Sequence, residues 1–392
     1  MAATMRSLMR LNVKLASNTC LKYNFLNSCR FIYSEESLGL LGYKNACLNF
    51  RNQFLNMENT FRTKMQEVCN SESGQIFTED LKSMLYLAQK KPEDIELLVR
   101  MIAKFNSQNK KLRFNIFIIG PLIMRTFYYL DEPDLAFTTF KHFQFENFFN
   151  QIISYQIFLS LLYKHGKYTE MRDVFDIIKI KILDFDRYPG NTLILVMAAC
   201  YKENTPETLE YALNLWNEIN AKGFTFQRRA STFLAALAIN QDSSHIAIEI
   251  LTSIKEVRYI DIRCLKVMAF KNLKRFTAIV PIFKKSLDFD KLNVRKEKYF
   301  RDVIEKLEES MAKENIPADF ELYKLITLLK DNDHILSDTL EDHLVSEITV
   351  NPIKRTQRGL NAFQSNVSQR PQSFSRNRLV YCPIFCKYAP KL

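Results

Sequence analysis

Glycine and proline are scarce in this sequence, with 8 and 11 among 392 residues. Both residues interrupt helices, so their scarcity favours a mostly helical chain. Long apolar runs are missing too, and no run reaches the roughly 18–20 residues that cross a membrane as a helix. The best candidate, 115–124, is too short and contains Gly120 and Pro121. The sequence therefore predicts a helical protein without a membrane span.

Motifs for catalysis or cofactor binding are missing as well. The chain has neither a glycine-rich phosphate loop nor the lysine that accompanies it. Cys382 and Cys386 lack a second ligand pair, and His334 and His343 lack a third ligand at metal-binding spacing. We predict a binding protein with no enzyme activity, no metal and no cofactor.

Acidic residues are absent from both ends of the chain, and this explains the net charge of +12. Residues 1–34 hold 5 basic residues and 348–392 hold 8, whereas 35–347 hold 42 basic and 43 acidic residues. The middle of the chain is thus nearly neutral. Any affinity of the middle for nucleic acid must come from a local basic surface, because bulk charge will not supply it.

The N-terminal segment, 1–34, is basic and rich in Ser, Asn and Leu. In a helix, Met5 and Leu8 would share a face opposite Arg6 and Arg10. The apolar centre of a secretory signal is missing, and the pattern is typical of a mitochondrial transit peptide. We therefore predict cleavage near residue 34 and a location in the mitochondrial matrix, where the cysteines should mostly be reduced.

The tail, 348–392, is rich in Gln, Asn, Ser, Pro and Arg and has no periodic apolar face. We expect it to be disordered, because it offers too little apolar surface to bury. Its positive charge would suit contact with phosphates, or it would simply keep the protein soluble.

The stretch 154–179 holds two amphipathic segments on either side of Gly166. Apolar residues recur at i, i+3, i+4 and i+7 in each, from Tyr155 in the first and from Met171 in the second. This spacing indicates one apolar stripe per helix. Gly166 suits the left-handed residue that ends a helix, so we predict a helical hairpin. One hairpin cannot cover both stripes and needs neighbours.

The stripe of the second helix recurs along the chain. Its first residues are Ala136, Met171, Ala212 and Ala247, at offsets of 35, 41 and 35 residues, and a weaker copy begins at Ile279. A period in the mid-thirties with two helices per period indicates an α-solenoid. An irregular helical domain with evenly spaced helices is the alternative.

The fold prediction is an all-α, right-handed α-solenoid of stacked helical hairpins. The repeats are expected over 111–290. An N-terminal helical cap is predicted at 35–110 and a C-terminal helical cap at 291–347.

The segment 153–179 resembles a pentatricopeptide repeat. The hydroxyl and the aromatic residue near its start, the basic residue and Gly-Lys at its turn, and the aromatic residue of its stripe are all present, while Met171 replaces a usual small residue. The matching residues are Ser154, Tyr155, Lys164, Gly166, Lys167 and Phe175. The segments 120–136, 197–216 and 228–241 resemble mitochondrial members of the same family from animals, and the resemblance covers roughly 75–290.

The resemblance implies a mitochondrial RNA-binding protein that acts in transcript maturation, processing or stability and supports respiratory-chain function. Family members usually read one base per repeat with a polar residue at the fifth position of the first helix and Asp or Asn at the repeat's end. Here the fifth positions are Ile157, Leu195 and Phe233, and Arg187 ends one repeat. Base reading of the usual kind is therefore expected to be absent.

Contact with single-stranded RNA would then depend on cations that grip the backbone and on rings that stack on bases. The alternative for each cation is a solvated helix end, and for each ring a place in the core. The candidates are Arg228, Arg229, Lys164, Lys167, Lys202, Tyr155, Tyr201 and Phe233.

A different class of function is also open. The repeats could form a protein-interaction scaffold on the mitochondrial ribosome or on an RNA-processing complex, with a peptide in the groove. A continuous basic stripe on the concave face would favour RNA, and an apolar groove would favour the scaffold. The metal-dependent nuclease domain of some family members is not expected, because 290–350 is predicted to be helical.

Overall fold

The computed structural model describes residues 31–109, 119–142, 149–182, 189–254, 258–291 and 296–348. All of these residues lie in the unit Met1–Thr349. Most of the predicted transit peptide, the tail beyond residue 348, Arg187, Cys382 and Cys386 lie outside the described residues.

Helices that precede the regular hairpins form the N-terminal part of the described chain. The third of them packs against the first and the fourth. Acidic residues stand in the first turns of the second, third and fourth helices, where they favour the positive end of the helix dipole. The helices are α1 Leu40–Phe54, α2 Glu58–Asn70, α3 Thr78–Leu87 and α4 Pro92–Asn109, with a 3-10 turn at Leu55–Met57.

Helical hairpins follow in series. Their first helices pack on one another in chain order, and the stacking of one pair on the next is that of an all-α helical repeat solenoid, as predicted. The pairs are α5 Gly120–Leu130 with α6 Pro133–Lys141, α7 Ile152–Lys164 with α8 Tyr168–Ile182, α9 Gly190–Glu203 with α10 Pro206–Ala221, α11 Arg228–Asn240 with α12 Ser244–Ser253, and α13 Ile260–Asn272 with α14 Val280–Lys291.

The C-terminal part continues this stacking and adds a small feature that the sequence did not predict. α15 packs on α13 and α16 packs on α14. Two two-residue strands pair in parallel, with Tyr299 opposite Ile335. The elements are a 3-10 turn at Phe276–Ala278, β1 Tyr299–Phe300, α15 Arg301–Lys313, α16 Glu321–Asp331, β2 Ile335–Leu336 and α17 Leu340–Leu344.

The recurring stripe of the second helices lies in the core. Met171, Val174, Phe175 and Ile178 on α8 are at most 1% exposed. The corresponding residues of α10 and α12 are buried too, except that Trp216 and Ile254, which directly follows α12, are half-buried. Each fully buried Leu, Ile or Phe contributes roughly 1.5–3 kcal/mol, so the repeated stripes are a main source of stability.

A residue with left-handed backbone conformation ends the first helix of each hairpin in the described chain. Gly166 has a φ of 67°, as predicted, and the others have φ values from 52° to 59°. Asn and Asp tolerate this conformation better than other residues with a Cβ, which makes Lys274 the exception. The other positions are Asp131, Asn204, Asp242 and Lys274.

Candidate nucleic-acid interface

Two candidate lysines form ion pairs with acids of the preceding hairpin. Lys164 Nζ lies 2.7 Å from Asp131 Oδ1, and Lys167 Nζ lies 2.6 Å from Asp134 Oδ1. Burial opposes the charged form of Lys167, but the hydrogen bonds and charges of Asp134 and Glu170 together outweigh burial and raise the lysine's pKa. Both lysine charges are therefore largely compensated within the protein, and their ion pairs connect neighbouring repeats.

Arg228 forms an ion pair with the following hairpin. Its Nη1 lies 2.5 Å from Oδ2 of Asp261, whose side chain is completely buried. The guanidinium also lies 3.7 Å from the centre of the Tyr259 ring. Because a buried carboxylate without a partner costs several kcal/mol, Arg228 has a structural role in addition to any contact with RNA.

Arg229 and Lys202 contact the C-terminal part of the described chain. Arg229 Nη2 donates to the carbonyl oxygens of His343 at 3.0 Å and Ser346 at 2.8 Å. Burial lowers the pKa of Arg229. Lys202 Nζ lies 3.0 Å from Glu341 Oε1. Both cations thus hold the last described helix, α17, and the residues after it near α9 and α11.

The candidate rings lie in the core. Tyr155 is 2% exposed and meets Phe140 edge-on, with 6.0 Å between ring centres. Burial raises the pKa of Tyr155 to about 12. Tyr201 and Phe233 are buried and lie 5.7 Å apart between ring centres. None of these rings presents a free face for stacking in this conformation, which is the core alternative that the sequence left open.

The positions that would read bases are also buried. Ile157, Leu195 and Phe233 are at most 1% exposed. More generally, the first helices are buried on all sides, without a break over 154–163, 192–201 and 230–239. A helix that is buried all round needs cover on both sides. The second helices supply one side only.

Residues from the two ends of the described chain meet beside α9 and α11. The Ile348 amide donates to the Ile32 carbonyl at 2.9 Å, and Ile32 is 1% exposed. The Tyr33 hydroxyl donates to the carbonyl of Asn191, on α9, at 3.3 Å. We call residues 32–33 and 343–348 the terminal clasp. The sequence predicts cleavage of a transit peptide near residue 34. Such cleavage would remove residues 32–33, which are one of the two segments of this clasp.

Sequence reasoning missed a second group of cations. Arg258, Arg263, Lys266 and Lys285 line one pocket between α13 and α14. The signal was present, since Arg263 and Lys266 are three residues apart on one face of a mostly apolar helix. Only the packing of α14 brings Lys285 to them.

Metal-binding clusters and membrane spans were searched for in the same residues. Nowhere in the described ranges do three or more His, Cys, Asp or Glu side chains come together as a metal-ion site. No helix there combines the length and apolar character needed to cross a bilayer.

The curated proteins that match this chain here share one name. No family model matches the chain. It is 31% identical over 237 residues to mitochondrial pentatricopeptide repeat-containing protein 2 of Mus musculus, covering 60% of this chain and 61% of the relative. The proteins of the same name from Xenopus laevis and Homo sapiens are each 31% identical, over 170 and 179 residues, which is 44% and 45% of their lengths.

The matches cover only part of each relative, from under half to about three fifths of its length. Their names describe pentatricopeptide repeat-containing proteins and place them in mitochondria. The predicted resemblance of this chain to the pentatricopeptide repeat proteins, with mitochondrial pentatricopeptide repeat-containing protein 2 as a relative, is therefore confirmed.

Proposed function

We propose that this chain is a mitochondrial helical-repeat protein that binds single-stranded RNA in the matrix. Its role is in transcript maturation, processing or stability, and through it the chain supports respiratory-chain function. The main support for this proposal is the stacked hairpin architecture, together with the similarity to pentatricopeptide repeat-containing protein 2 over 60% of the chain. In this proposal the protein acts as a binder.

The geometry bears on how RNA would bind. The first helices are buried, so one-base-per-repeat reading would require the residues that cover them to move. Candidate cations such as Lys167 and Arg228 are already in ion pairs. Binding to the closed protein would therefore use the phosphate backbone and cations outside the hairpin-to-hairpin pairs.

A protein scaffold is the second candidate function. It is favoured by the same burial of the first helices, because a covered inner face leaves the outer surface for partners. Such partners would be the mitochondrial ribosome or RNA-processing proteins. The near neutrality of 35–347 suits protein partners as well as it suits RNA.

The two functions separate under ultraviolet crosslinking in isolated mitochondria. The full chain would be compared with a variant in which the 8 basic residues of 348–392 are glutamine. RNA recovered with both proteins supports RNA binding by the repeats. RNA lost from the variant assigns binding to the tail, and no RNA with either protein supports the scaffold. Arg228 and Arg229 are poor choices for this test, because their substitution would disturb Asp261 and the clasp.

A further inference from the structure

The pocket between α13 and α14 has a volume of about 330 Å³ and an unusual balance of charge. Four cations line it, Arg258, Arg263, Lys266 and Lys285, against the one carboxylate of Glu297. Its size is at the lower end of that of small-molecule sites. The lining thus carries a net charge of +3 in a space that would admit a small anionic group.

Arg263 is the most enclosed of these cations. Its side chain is 8% exposed. Nη1 donates to the carbonyl of Arg258 at 2.7 Å, and Nη2 donates to the carbonyl of Lys298 at 3.1 Å. Its Nε is buried and finds no hydrogen-bond acceptor among the described residues. A buried donor without a partner costs roughly 1–3 kcal/mol, so this arginine is held in place with one donor unused.

The single carboxylate of the lining is already engaged. Glu297 Oε1 lies 3.3 Å from Arg263 Nη1. Its Oε2 accepts from the Ser286 hydroxyl at 2.8 Å. Glu297 therefore compensates mainly Arg263.

Lys266 experiences this excess of positive charge. Burial and the nearby charge of Lys285 both lower its pKa. It has no ion pair with an acid in the described residues, in contrast to Lys164 and Lys167 on the earlier hairpins. Like charges placed together cost stability, and such local violations of favourable pairing are typical of functional sites.

The remaining wall of the pocket is apolar and formed by Pro281 and Ile282. Apolar walls exclude water and lower the local dielectric constant, which strengthens the attraction between the cations and an anion. Guanidinium and ammonium groups are the donors that proteins use for phosphate oxygens. The chemistry of the lining therefore matches a phosphate group better than a neutral ligand.

We propose that the pocket between α13 and α14 binds a phosphate group of single-stranded RNA, with Lys266, Lys285 and Arg263 as the contacting residues. The proposal rests on the proposed function, and it locates part of the RNA contact at the hairpin of α13 and α14. A phosphate of a free nucleotide has the same chemistry, so the test includes both sources.

The test uses the full chain and a fluorescently labelled single-stranded RNA of mixed sequence. Binding is followed by anisotropy over a range of salt concentrations for the wild type and for Lys266→Gln/Lys285→Gln. The matched control is Lys284→Gln/Lys330→Gln, which removes two lysines that pair with Glu321 and Glu308 at 2.6 Å. Titration of uridine monophosphate and inorganic phosphate, followed by calorimetry, forms the second arm.

The expected result is a loss of roughly tenfold or more in RNA affinity for the pocket variant. Its salt dependence should fall by a log–log slope of about 0.7, for one lost phosphate contact on a single strand. The control should stay near the wild type. The melting temperature of the pocket variant should not decrease, because the substitution relieves repulsion between Lys266 and Lys285; a purely structural role would lower it.

The contrary outcomes are distinct. If the wild type binds RNA and the pocket variant binds it equally well, the pocket proposal is wrong and the proposed function stands. If the wild type binds no RNA, the proposed function fails. Uridine monophosphate binding that the pocket variant then loses would overturn RNA as the source of the phosphate. No binding of either ligand would overturn both proposals.

Discussion

The terminal clasp gives the sharpest prediction about stability. A chain that begins at Ser34 lacks Ile32 and Tyr33, whereas a chain that begins at Phe31 keeps them. Ile32 and Tyr33 are 1% and 4% exposed and make one hydrogen bond each, to Ile348 and to Asn191. We expect the shorter chain to be measurably less stable than the longer one.

The magnitude follows from these contacts. Two buried side chains contribute roughly 1.5–3 kcal/mol each, and two hydrogen bonds contribute about 1 kcal/mol each. Ordering two residues costs roughly 1–2 kcal/mol each for the backbone, and side-chain ordering adds to this. The net loss in the free energy of unfolding should be about 3 kcal/mol.

The assay is urea unfolding followed by circular dichroism. The control is Phe31→Ala in the longer chain, because Phe31 is 41% exposed and a surface change of this kind should stay within about 0.5 kcal/mol. Equal unfolding midpoints for the chains that begin at Phe31 and Ser34 would refute the clasp.

The same reasoning bears on processing in mitochondria. If a transit peptide is removed, the cut should lie before Ile32, not near residue 34 as the sequence alone suggested. N-terminal sequencing of the protein from mitochondria decides this. A mature protein that begins at Ser34 and keeps full stability would contradict the reasoning.

Three further predictions concern the hairpins. Arg228→Gln should lower the free energy of unfolding in urea by roughly 3–5 kcal/mol, because it leaves the buried Asp261 carboxylate without its ion-pair partner. Adding Asp261→Asn to the same chain should restore part of this stability. A loss below about 1 kcal/mol for Arg228→Gln would contradict the reasoning. Gly166→Ala should cost about 1 kcal/mol in thermal unfolding, since φ is 67° and the added Cβ meets no atom within 4 Å. Burial raises the pKa values of Cys200 and Cys264 from 9.0 to about 12. Because the thiols of the unfolded chain ionise at lower pH than the buried thiols, the free energy of unfolding should fall as the pH rises from 9 to 12. A thiol-reactive dye should label both cysteines only after unfolding.

Local patterns along the chain were enough to predict the helical hairpins. The stripe from Met171 to Ile178, its copies at Ala212 and Ala247, and the left-handed Gly166 all depend on neighbours within one or two helical turns. Such patterns report which face of a helix is apolar, and the apolar face must be buried wherever the helix lies. The stacked helical fold and its repeat length could therefore be predicted without coordinates.

The candidate site was less predictable, because the packing of other elements decides whether each candidate side chain is available for contact. Lys164 and Lys167 were candidates for RNA contact, but they pair with acids 33 residues earlier. A sequence pattern shows that a lysine is present, but it does not show which acid of the neighbouring hairpin the lysine reaches. Tyr155 and Phe233 belong to helices whose second side is also covered, and amphipathic spacing does not reveal that.

The sequence by itself determined the helical repeat, the position of its turns and the near neutrality of its middle. Only the tertiary structure decided that Ile32 meets Ile348 across more than 300 residues, and that the first helices are enclosed. It also decided that Arg263, Lys266 and Lys285 share one pocket. The physical reason is that these arrangements depend on contacts distant in sequence, whose geometry is set by the register of whole helices.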